Sequence, residues 1–106
     1  MQISYTEKAK QSADYELLRQ ADARLEEILG SAAEPVSGTW DCIQDADDGP
    51  LYMLRLAGRF NEVKRTFEPN ELRSSNMRDF WLYLLWGKFL QARNERLLRQ
   101  LLTTES

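Results

Sequence analysis

Phe80-Trp81-Leu82-Tyr83-Leu84-Leu85-Trp86-Gly87-Lys88-Phe89-Leu90 is apolar on nearly every side of the helix that its spacing predicts. A helix on the surface of a small domain needs only one apolar stripe. A second apolar face therefore calls for a second partner. At about 100° per residue the block divides in two. Phe80, Tyr83, Leu84, Gly87 and Leu90 begin a stripe that continues through Leu97, Leu98, Leu101 and Leu102, with Asn94 as its polar interruption. A stripe that persists over several turns reads as a packing seam, so this face is expected to meet the chain's own core. Gly87 in its middle would let another backbone come close, at a cost of about 1 kcal/mol of helix propensity.

The opposite face carries Trp81, Leu82, Leu85, Trp86 and Phe89, confined to three turns. Arg78, Arg93 and Arg96 flank it, and Lys88 and Arg99 lie at its side. An apolar centre with a basic rim has the anatomy of an interface, and Trp and Arg are the residues most often found at binding hot spots. This patch is expected to bind a partner. A second copy of the chain is the first choice, because closed two-fold dimers are the commonest oligomers, and another protein is the second.

Working outward, Leu17, Leu18, Ala21, Leu25, Ile28 and Leu29 recur at helical steps and predict a first helix from Thr6 or Ser12 to Leu29, closed by Gly30. Residues 1–12 are expected to fray or to extend beyond the core. Residues 31–38, with Pro35, read as a linker. Three strands follow by period-two alternation. The first is Thr39–Gln44, with Trp40 and Cys42 on one face; the second is Leu51–Ala57, apolar on both faces; the third is Glu62–Phe67, whose charges suit an exposed edge. Glu68-Pro69-Asn70-Glu71-Leu72 predicts a short helical turn opened by proline. The long helix should start near Asn76, with Asp79 at capping-box spacing, and run to about Leu102. The expected fold is α+β, in the order α-β-β-β-α. It is one domain over residues 1–106, with a three-stranded antiparallel meander, a shorter N-terminal helix and a long C-terminal helix.

The chemistry is sparse. The 106 residues hold no histidine, which removes the usual general base and the commonest transition-metal ligand. The lone Cys42 alternates with Trp40 and reads as a buried, inert thiol; one cysteine allows no intrachain disulfide and fits a reducing, cytoplasmic setting. Asp41, Asp45, Asp47 and Asp48 near Gly49 raise a cation site, but their order is not that of an EF-hand and turn composition accounts for them. No glycine-rich phosphate loop or nucleophile elbow is present. The expectation is a protein without catalysis, cofactor or metal.

The net charge of −3 argues against a dedicated nucleic-acid binder, although the two halves differ. Residues 1–50 carry 4 basic and 11 acidic groups, and residues 51–106 carry 10 basic and 6 acidic. Arginines interleaved with aromatics on the last helix keep single-strand binding as the alternative function. The acidic first helix is expected to offset those arginines. The aromatic block is too short to cross a bilayer, which takes about 20 residues, and the first residues lack the basic-then-apolar order of a signal peptide.

Overall fold

The computed structural model describes residues 1–30, 36–45, 49–59 and 61–105. The elements in chain order are β1 (Gln2–Tyr5), α1 (Glu7–Lys10), α2 (Tyr15–Leu29), β2 (Ser37–Asp45), β3 (Gly49–Ala57), β4 (Glu62–Phe67), α3 (Pro69–Arg73) and α4 (Ser75–Glu105). The fold is α+β, with a four-stranded mixed sheet in the order β1-β2-β3-β4. The meander from β2 to β4 is antiparallel, with Trp40 opposite Leu54 and Leu54 opposite Arg65.

The expected fold lacks one strand. Residues 2–5 do not fray: they run parallel to β2, with Ile3 opposite Gly38 and Tyr5 opposite Trp40. A parallel pair needs a crossover, and α1 and α2 supply it. Gly38 leaves room for the end of the Ile3 side chain, whose Cδ1 would lie 2.6 Å from a Cβ there. Thr6 stops the strand and opens α1; its hydroxyl accepts from the Ala9 N–H and donates to Asp41 at 2.7 Å. The first helix of the sequence is consequently two helices, α1 and α2, broken at residues 11–14.

α2 buries Leu18, Ala21, Leu25 and Leu29 and ends at Gly30 with φ +53°. Only glycine adopts that sign of φ without cost. On the covered face of the sheet lie Trp40, Cys42, Tyr52, Leu54, Leu56 and Phe67, which join the apolar face of α2 and part of α4 in one contiguous cluster. The other face shows Thr39, Asp41, Ile43, Leu51, Met53, Arg55, Lys64 and Thr66, none of them fully buried.

α3 begins as its proline predicts. Glu68 and Glu71 form a reciprocal capping box, and Glu71 also binds Arg65 at 3.0 Å. α4 starts at Ser75, beside the expected Asn76, but with a different cap. Ser74, not Asn76, caps it, accepting from the Met77 N–H at 3.3 Å. Asp79 instead takes Arg24 of α2 at 3.2 Å and Arg78 at 3.1 Å. The Arg24–Asp79 pair joins α2 to α4, and Asp14 at the start of α2 meets Arg73 of α3 at 3.4 Å. Among the described residues, no helix is long and apolar enough to cross a membrane. Residues 31–35 of the expected linker, and the side chain of Asp45 with Asp47 and Asp48 of the considered cation site, lie outside the described residues.

Two phenols tie the helices to the sheet. Tyr5 donates to Asp22 at 2.9 Å and Tyr52 donates to Asp14 at 2.7 Å. Burial, with the adjacent carboxylate, raises both phenols and pushes Tyr52 up to about 12. The unfolded chain ionises its tyrosines near pH ~10. Below that pH the raised phenols contribute their full stability. The contribution is lost as pH rises through the folded value, because the unfolded state releases protons that the folded state keeps. A phenolate absorbance titration should show two of the four tyrosines ionising late, together with alkaline unfolding. In Tyr52→Phe one late phenol should disappear; if all four tyrosines of the wild type ionise near their ordinary value, the assignment is wrong.

Candidate functional site

The two faces of α4 have exchanged the roles that periodicity suggested. Leu82, Leu85, Trp86 and Phe89 are between 0 and 7% exposed and pack into the chain's own core. Trp86 stacks on Phe89 with ring centroids 5.3 Å apart. Gly58, after β3, is so close that a Cβ on it would lie 2.8 Å from the Phe89 ring. Trp81 is half-buried, with the Arg65 guanidinium from β4 lying 3.4 Å above its ring centroid. Arg65 thus stands between Trp81 and Glu71, which fixes the first turns of α4 against the edge strand. The patch expected to face a partner is the one that faces the sheet.

The basic residues expected at its rim divide accordingly. Arg78 is half-buried and engaged with Asp79. Arg93 lies 6.0 Å from the Phe89 centroid and, with Arg96, Val36 and Leu97, lines a recess of about 180 Å³ beside Gly58. The aromatics that single-strand stacking would use on this side, Trp86 and Phe89, are inside the core.

The exposed face is the long stripe. Met77, Phe80, Tyr83, Leu84, Leu97, Leu98, Leu101 and Leu102 are 40 to 69% exposed. Gly87, in the same stripe, has open space around it, so nothing among the described residues requires a glycine there. From Asn94 to Leu102 every residue is exposed, on all sides of the helix. The reason is length. α4 has 31 residues, about 46 Å at ~1.5 Å per residue. The longest strands have nine, about 30 Å at ~3.3 Å per residue. The helix outruns the body, and the molecule extends 53 Å along one axis against 28 and 22 Å across.

With roughly 200 Å² for a fully exposed large apolar residue, these exposures amount to on the order of 800 Å². That is large for a patch left in water and equals one side of a standard protein interface, about 800 Å² per partner. Sequence reasoning found every one of these residues except Met77 and gave them to the core. The signal that separates the faces is that a seam running to Leu102 is longer than any small sheet can cover.

Cys42 is buried, and burial raises its thiol, as does the neighbouring Asp41. Among the described residues no cluster of Cys, Asp or Glu is placed to hold a metal ion. The chain matches no protein-family model, no curated protein and no solved structure.

The exchange of faces gives a stability test in dilute protein. Phe89→Ala should cost about 3–5 kcal/mol by urea unfolding, as expected for a buried aromatic. Phe80→Ala should cost less than about 1 kcal/mol, as for a surface position. Equal costs would contradict the assignment.

Proposed function

We propose that this protein is a non-catalytic self-association module that forms a homodimer through the exposed stripe of α4. The single observation that supports the reading is a large exposed apolar stripe along α4 that continues onto its last turns. Leu97, Leu98, Leu101 and Leu102 are 52 to 69% exposed there, with Leu97 at the recess that Val36 and Gly58 help to line. An unsupported helical end of this length is marginal in water, since most helical stability in proteins comes from packing an apolar face. Four leucines there are a cost in solubility unless another helix covers them.

A second copy supplies that helix with the same length and the same stripe, and a two-fold axis closes the contact so that no apolar surface is left over. An interface with about 800 Å² on each side is in the range of stable, specific complexes. Catalysis finds no support: the thiol is buried and raised, which disfavours the thiolate a nucleophile needs. A cytoplasmic setting fits that unpaired thiol.

Sedimentation equilibrium tests the proposal. The wild type should show twice the chain mass of 12.4 kDa at micromolar concentration. Leu98→Asp should be a folded monomer, because Leu98 lies beyond the core. A wild type that stays monomeric at high micromolar concentration overturns the reading.

A further inference from the structure

The stripe has an internal order that selects one way of pairing. Its central positions recur in heptads: Leu84, Gln91 and Leu98 on one set, and Phe80, Gly87, Asn94 and Leu101 on the other. Lys88 and Glu95 lie one heptad apart along one edge of the stripe, both exposed. Among the described residues Lys88 has no ion-pair partner in its own chain, and Glu95 meets only the Gln91 amide, at 3.4 Å. We propose that the two α4 helices pack antiparallel, with the two-fold axis passing between Gln91 and Asn94. This rests on the dimer reading above and adds the orientation and register.

In this register each layer is matched. Leu84 meets the partner's Leu101. Gly87 meets the partner's Leu98, a missing side chain against a large one, which is how facing positions interdigitate. Gln91 meets the partner's Asn94, so the polar residues of the stripe pair with each other, amide to amide, at the centre. Polar groups at core positions are known to set register and oligomer state, because a misaligned pairing leaves an amide unsatisfied against apolar side chains. On the edge, Lys88 faces the partner's Glu95, and the symmetry makes that ion pair twice. Trp81, on the same edge, comes against the partner's Leu102.

The competing arrangements fail on the same residues. A parallel pair sets Gly87 against Gly87, leaving a hole, and aligns Lys88 with the partner's Tyr83 and Glu95 with the partner's Leu90. An antiparallel pair slipped by one heptad sets Leu84 against the partner's Asn94 and brings Lys88 against its own symmetry mate. Mispaired polar groups and like charges of this kind are how helix pairs exclude wrong registers.

Two measurements test the pairing. Chains carrying Leu84→Cys and chains carrying Leu101→Cys are mixed in equal amounts and oxidised; Cys42 is buried and does not compete. The mixed 84–101 disulfide should predominate. In sedimentation, Lys88→Glu and Glu95→Lys should each weaken the dimer roughly tenfold, and the double variant should recover to within about threefold of wild type, since the swapped charges pair again across the axis. A dimer of the expected mass that gives 84–84 and 101–101 disulfides, or a double variant weaker than either single one, overturns the orientation and leaves the dimer standing. A monomeric wild type overturns both.

Discussion

One sheet with one covered face governs this structure. The sheet has one buried side, built from Trp40, Tyr52, Leu54, Leu56 and Phe67, and it accepts one side of each helix laid on it. α4 is apolar on two sides. It gives the sheet Leu82, Leu85, Trp86 and Phe89, with Trp81 held by Arg65, and Gly58 allows Phe89 to come down to the backbone. Once that side is used, the residues of the remaining stripe stay 40 to 69% exposed among the described residues. The extended shape, the leucines in water and the proposed partner all follow from this one constraint.

Much of the fold was legible because local rules agree with tertiary ones. The alternation of Trp40 with Cys42, and of Leu54 with Leu56, put the correct side chains inward. Glu68-Pro69 opened a short helix where the capping box closes. Gly30 ended α2. What escaped was β1, a strand of four residues whose only signal is Ile3 and Tyr5 at period two. Its pairing depends on a contact with Gly38 that lies over thirty residues away. Ordering of this kind is set by tertiary packing, which local pattern does not record.

The choice between the faces of α4 was not legible from composition. Both are rich in aromatic and aliphatic residues, and hydrophobicity alone does not rank them. Persistence along the helix pointed to the wrong face, because it measures the length of a partner and not whether that partner is in the same chain. The compact patch of three turns is the one a short sheet can bury. The basic rim that made it look like an interface is explained locally: Arg78 belongs to Asp79, and Arg93 lies near the Phe89 ring.

The account's central claim is that the overhanging turns of α4 are held helical by a second copy of the chain. Amide hydrogen exchange of residues 97–102, followed as a function of protein concentration, reads this directly, since local opening free energy tracks packing. The account predicts slow exchange at high concentration and fast exchange on dilution, with the amides of Leu82 to Phe89 protected throughout. Protection of residues 97–102 that does not change with concentration would contradict it.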